Sequence, residues 1–215
     1  MSISERRKNS PKRLAVVEAA TNEFLNNGFA ETSMDRIAES ANVSKRTVYD
    51  HFPSKDDLFQ AIIDTLLAKV DEMPAHEYDQ EASLEQQMLT IGYTFARTIT
   101  RPEFMKFSRV VISRFIQAPE WAHNTNKAYD RLRHDMTTLF RVAQKDGRLQ
   151  IADLGLAVTQ FCGLIKENVF WPQLMAGQKS SSESELKSVV KSAVAMILDH
   201  YGVPQSSGSV KQRSD

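Results

Sequence analysis

An all-α fold of about nine helices is what this sequence predicts, on three observations. Apolar residues recur every three to four positions along most of the chain, the period of a helix with one buried face. Turn residues are scarce: eight glycines and seven prolines stand among 215 residues. They cluster, instead of recurring every ~8–12 positions as a sandwich or barrel requires. Helix-capping residues precede most of the apolar stripes. With 41% hydrophobic and 25% charged residues the chain can bury a sizeable core, as one compact unit or two small ones.

Ser10-Pro11 opens the first helix, Ser10 as N-cap and Pro11 where an N–H would be unpaired anyway. Leu14, Val17, Ala20 and Phe24 form its stripe, and Asn26-Asn27-Gly28 ends it, with Gly28 supplying a left-handed terminal residue. Thr32, with Asp35 three positions on, caps a second helix whose inner face is Met34, Ile37, Ala38 and Ala41. Asn42 is the turn residue after it. Ser44 then caps a short third helix ending near Phe52, since the residue before Pro53 avoids helical angles. Ser54 with Asp57 caps a fourth, carrying Leu58, Phe59, Ile62, Ile63, Leu66, Leu67 and Val70 inward. Five further helical blocks follow at 84–100, 103–117, 120–145, 153–175 and from 182 onward. The last opens on a capping box, Ser182-x-x-Glu185, and turns Leu186, Val189, Val190, Ala193 and Ile197 inward.

Charge and composition narrow the function classes. Lys plus Arg equals Asp plus Glu at 27 each, so net charge is zero and favours no polyanionic partner overall. Residues 1–13, however, hold Arg6, Arg7, Lys8, Lys12 and Arg13 against Glu5. One cysteine, Cys162, excludes an internal disulfide framework and an all-Cys metal site. No apolar run suits a membrane span or a signal peptide, so a cytoplasmic protein without membrane contact is expected. No Gly-rich phosphate loop, no Ser/His/Asp set, no paired carboxylates and no histidines three or four apart are present. An enzyme, a metal site or a cofactor therefore has no residues to rest on. The organisation expected is a basic arm at 1–11, a helix-turn-helix unit at 12–55, a larger helical unit at 56–202 and a disordered Ser/Gly-rich tail at 203–215.

Ser40-Ala41-Asn42-Val43 has the length of the turn in a helix-turn-helix. Ala38 is small where two helices cross, and Asn42 tolerates a positive φ better than most residues. Val43, Val48 and Phe52 face inward, which leaves Lys45, Arg46, Thr47, Tyr49 and His51 outward. Two cations, two hydroxyls and an imidazole make a surface for phosphates and base edges. Thr32, Ser33, Ser44 and Lys55 stand at helix starts where backbone N–H groups can meet a phosphate, and Lys55 is expected to contact one.

Residues 33–58, Ser-Met-Asp-Arg-Ile-Ala-Glu-Ser-Ala-Asn-Val-Ser-Lys-Arg-Thr-Val-Tyr-Asp-His-Phe-Pro-Ser-Lys-Asp-Asp-Leu, resemble the DNA-binding signature of the TetR family of transcriptional regulators. The resemblance runs from about Lys12 to Leu67. Two positions depart from it: Asn42 stands where Gly is usual, and Arg46 where a small residue is common. Arg109-Val110-Val111-Ile112 and Gly147-Arg148-Leu149 resemble the repressor subgroup named for AefR. The resemblance implies a homodimer on a palindromic double-stranded operator, released by a small-molecule effector. It also implies that the last two helical blocks form the dimer interface, with Leu156, Leu186, Val190, Ala193 and Ile197 as candidates.

The region between supplies many large rings. Phe107, Phe115, Trp121 and Trp171, with His134, Gln160 and Glu167, would suit a mainly apolar effector; equally, the rings are ordinary core. A second reading remains from another class. It is a helical small-molecule-binding protein or enzyme whose basic N-terminal segment only aids solubility.

Overall fold

The computed structural model describes residues 10–71, 76–123 and 126–204. The basic arm and the tail expected at the two ends lie almost wholly outside these. Eleven helices are found among the described residues: α1 (Pro11–Glu31), α2 (Met34–Ser40), α3 (Lys45–His51), α4 (Lys55–Asp71), α5 (Leu84–Ile99), α6 (Pro102–Gln117), α7 (Glu120–His123), α8 (Asn126–Lys145), α9 (Leu154–Val169), α10 (Trp171–Ala176) and α11 (Glu183–Tyr201). The nine expected blocks are all there, and two of them are broken. Block 120–145 divides into α7 and α8, and block 153–175 into α9 and α10. At the second break Pro172 sits in the first turn of α10, where its missing N–H costs nothing.

Local signals act largely as the sequence suggests. Ser10 accepts a hydrogen bond from Arg13 N at 3.2 Å, and Asp153 accepts from Leu156 N at 2.9 Å. The capping box is complete, with Ser182 N donating to Glu185 Oε2 at 2.7 Å. Three expectations need correcting. The cap of α2 is Ser33, which accepts from Arg36 N at 3.2 Å; Thr32 is buried instead. Gly28 does take a positive φ of 79°, but its ψ of 164° is extended and another turn follows to Glu31, so it kinks α1 without ending it. Leu14 is half exposed, because the buried side of α1 is set by Val16, Val17, Ala19, Ala20, Thr21 and Phe24.

Two cores result. The first joins α1–α4 through Val17, Ala20, Phe24, Ile37, Val48, Phe52, Leu58, Phe59 and Ile62, and is completed by Phe107, Val110 and Val111 of α6. The second joins α5, α8, α9, α10 and α11, and Phe104 and Met105 from the start of α6 belong to it. The boundary expected between residues 55 and 56 therefore falls inside one core, and α6 takes part in both. In the second core α5 approaches α9 and α11 so closely that a Cβ on Gly92 would lie 2.8 Å from Val190 Cγ1 and 3.0 Å from Phe161 Cζ. The far end is closed by Gln150 N donating to Tyr201 O at 2.8 Å and Val203 N to Arg148 O at 3.1 Å. Arg148 also donates to Ala82 O at 2.9 Å, while Tyr78 donates to Asp146 at 2.6 Å, which ties the segment before α5 to the turn after α8.

Candidate nucleic-acid interface

The turn between α2 and α3 is fixed by backbone hydrogen bonds. Ala41 N donates to Ile37 O at 2.9 Å, Asn42 N to Glu39 O at 3.0 Å and Val43 N to Ala38 O at 3.0 Å. Asn42 has φ 51°, the left-handed value expected of it. Ser44 then accepts from Thr47 N at 3.1 Å and starts α3 cleanly. Val48 is fully buried and Phe52 nearly so, and these two set the rotation of the helix on α1 and α2. That rotation turns Lys45, Arg46 and Tyr49 to solvent, with Thr47 and His51 half-buried. Arg46 is the freest, its side chain 92% exposed. Seven residues make a rod of about 10 Å, short enough to fit end-on in a ~12 Å major groove.

Not all expected contacts keep that role. Thr32 is buried, and its hydroxyl donates to Gly28 O at 2.8 Å and Glu23 O at 3.2 Å. It latches the kinked end of α1, away from solvent. Lys55 is engaged as well: Nζ donates to Phe29 O at 2.6 Å, Thr32 O at 2.9 Å and Ala30 O at 3.0 Å. An ammonium has three protons, and all are used. Its charge lies 4.6 Å from the Phe29 ring centre, with the Arg114 guanidinium at 4.0 Å from the same ring. Burial, with Arg114 nearby, holds the Lys55 pKa below the usual lysine value. Lys55 is a structural cation at the end of α1, a role invisible in sequence because its acceptors lie 23–26 positions away.

Other residues at this face take roles that the sequence does not indicate. Arg13 stacks on Phe52 at 4.9 Å, beside the end of the recognition helix. Asp35 pairs with Lys45 at 2.7 Å, and Asp50 lies 4.0 Å from Arg46 one turn along. The Arg46/Asp50 spacing of four could have been read; the Asp35/Lys45 pairing depends on the angle between α2 and α3.

The seven effector candidates do not converge. Phe107, Phe115 and Trp121 belong with the first core, where Phe59 meets Trp121 at 5.3 Å and Phe115 at 6.5 Å, edge to face. Trp171 packs on Phe170 at 5.1 Å in the second. His134, Gln160 and Glu167 are exposed, and Gln160 accepts from Tyr201 Oη at 2.6 Å. Helical spacing shows that a ring points inward without saying into which core. The dimer candidates divide too. Leu186, Val190, Ala193 and Ile197 are buried within the single chain, whereas Leu156 is 51% exposed. Within the single chain these four side chains of α11 pack against α5 and α9, while Met196 of the same helix stays exposed.

A pair of helices on a tight hydrogen-bonded turn that projects a short helix with exposed cations defines a helix-turn-helix DNA-binding protein. Residues 16–62 match the family model for bacterial regulatory proteins of the tetR family, and residues 86–203 match that of the AefR-like transcriptional repressor C-terminal domain. A crystal structure of a TetR family regulator from Pseudomonas syringae pv. tomato is 39% identical, covers 91% of this chain and 100% of its own, and superposes with a TM-score of 0.78. SrpR of Pseudomonas putida is 26% identical over 155 residues, 71% of either chain. YhgD of Bacillus subtilis is 40% identical over 75 residues, and the chain spans only 39% of that relative's length. The chain belongs to the TetR family of helix-turn-helix transcriptional regulators.

Proposed function

We propose that the protein is a homodimeric cytoplasmic repressor, without catalytic activity, that holds a palindromic operator until a mainly apolar small molecule binds its C-terminal half. The recognition helix carries this reading: a seven-residue helix on a rigid turn, with Arg46 free to reach the two acceptors of a guanine edge. Tyr49, Thr47 and His51 are placed for neighbouring base edges or phosphates. The exposed starts of α2 and α3, at Ser33 and Ser44, offer backbone N–H groups. The similarity of residues 86–203 to a repressor domain supports the sign of regulation.

One such helix reads a half-site, so two-fold pairing is required. Leu156 on α9 and Met196 on α11 are 51% and 54% exposed, and we assign the partner contact to the face that bears them. Phe107, Phe115 and Trp121 stand where α6 meets α4, so an effector that parts these rings shifts α4 and with it the recognition helix. Such an effector acts only through its different affinities for the two states, typically ~1–3 kcal/mol of coupling.

Selection of operator from random duplex, followed by gel shift, tests the whole. Arg46→Ala should weaken the selected operator by ~1–3 kcal/mol and relax one position of its sequence. Met196→Asp should give monomers in light scattering and lose operator binding while the fold stays intact. A wild-type protein that selects no sequence, or that is monomeric at micromolar concentration, overturns the proposal.

A further inference from the structure

The face that meets DNA holds less free positive charge than its lysines and arginines suggest. Between Ser10 and Ile62 six basic residues stand against eight acidic ones, a formal −2. Around the turn the cations are already engaged. Arg36 Nε lies 3.1 Å from Glu23 Oε2, and Lys55 is taken up by the carbonyls of α1. Lys45 Nζ lies 2.7 Å from Oδ1 of Asp35 and donates to Oδ2 at 2.9 Å. Arg46 touches its own carboxylate only loosely, at 4.0 Å from Asp50. The Lys45–Asp35 pair stands out in water, with side chains 60% and 62% exposed, so it serves no core. Its position is at the leading end of the recognition helix, the part that enters a groove first.

We propose that Asp35 is a specificity-determining residue of the DNA-binding face: it holds the Lys45 ammonium at the front of α3 and sets a carboxylate against the phosphate backbone. Duplex lacking the right base edges then gains little from this helix. Sequence-independent affinity comes from counterions released as cations neutralise phosphates, a slope of about 0.9 in log K against log salt per phosphate. A lysine alone adds one to that count, and a lysine paired with a carboxylate adds close to none. Specificity is a difference between affinities, and a repulsive group widens it by weakening the wrong complex. On an operator, Arg46 and Tyr49 reach base edges and supply what the pair withholds. The pKa of Lys45 is raised above the usual lysine value, first by its hydrogen bond to Asp35. This inference rests on the helix-turn-helix reading above.

The test compares wild type, Asp35→Asn, Lys45→Gln and the double variant on a selected operator and on random duplex of equal length, between about 50 and 200 mM KCl. Asp35→Asn should bind random duplex about three- to tenfold more tightly at the low salt, with a slope steeper by ~0.9, an extra ~3.5-fold loss across that range. Operator affinity should change less, so the specificity ratio falls. In the Lys45→Gln background the gain from Asp35→Asn should be clearly smaller, since only the carboxylate's own repulsion of phosphate is left to relieve. An unchanged slope overturns the proposal, as does an equal gain with and without Lys45. Asp35 also sits in the first turn of α2, so thermal melts run alongside. A lowered Tm with both duplexes weakened alike overturns the proposal in favour of a structural role. A wild type that binds neither duplex at the low salt overturns the DNA-binding reading itself, and this proposal with it.

Discussion

Replacing Lys55 by Met separates two roles that a lysine at the start of α4 can have. The substitution keeps an unbranched stem against Phe29 and removes only the ammonium. Three carbonyls then lose a charged donor: those of Phe29 and Thr32 are partly shielded, while that of Ala30 is open to water. Hydrogen bonds to charged groups contribute ~1.5–3 kcal/mol each, and water replaces the exposed one at little cost. Allowing for partial access at the other two, the expected loss is about 2–3 kcal/mol. For a chain of this size 1 kcal/mol moves the melting temperature by about 2–4 °C, so Lys55→Met should melt roughly 4–12 °C lower. Thermal denaturation followed by circular dichroism reads this directly. The salt dependence of operator binding should stay as in wild type. A variant with unchanged Tm and a slope shallower by ~0.9 would show that Lys55 neutralises a phosphate, and would refute its assignment to the end of α1.

Three further outcomes concern the C-terminal half. Gly92→Ala gains helix propensity of about 1 kcal/mol but drives a methyl into Val190 and Phe161, and overpacking costs ~1–3 kcal/mol; a net loss of up to ~2 kcal/mol in denaturant titration is expected, and a more stable variant would contradict the close approach. Burial pushes the Cys162 thiol up to about 11, so a thiol reagent near pH 8 should leave the native protein unmodified and label it once guanidinium has unfolded it. Glu185 is held below the ordinary carboxylate value, chiefly by the Ser182 backbone N–H and then by its hydroxyl. Its stabilisation is therefore complete above that ordinary value and is lost as pH falls through the lowered one. Wild type should lose its advantage over Glu185→Gln as pH falls below the ordinary glutamate value, and parallel pH curves for the two proteins would count against the capping box.

What was legible in the sequence was local. Ser10, Ser44, Asp153 and the Ser182–Glu185 box act within one helical turn, and each caps the helix it precedes. The recognition helix was equally readable, because Val48 and Phe52 fix its rotation from within its own seven residues and their flank. What spacing could not supply was the partner of each apolar face. The stripe of Leu186, Val190, Ala193 and Ile197 looked ready for a second subunit, yet α5 was the nearer answer. Phe107, Phe115, Trp121 and Trp171 read alike as inward rings, and they separate into two cores only because α6 crosses between them. The engagement of Thr32 and Lys55 is hidden from the sequence for the same reason. Their hydrogen-bond partners belong to the kinked end of α1, up to 26 residues away.

The division of α6 between the two cores bears on how such a regulator can be rebuilt. Phe104 and Met105 anchor its start in the C-terminal half, and Phe107, Val110 and Val111 seal the N-terminal one. A graft that moves the recognition module onto another sensor by joining chains near residue 62 leaves these three side chains behind and exposes Ile62, Ile63 and Phe59 to a foreign surface. A transplant of the operator preference therefore has to carry the matching side of α6, or redesign the host helix to reproduce it. New DNA specificity is introduced with least disturbance by editing the outward positions of α3, where Lys45, Arg46 and Tyr49 touch neither core.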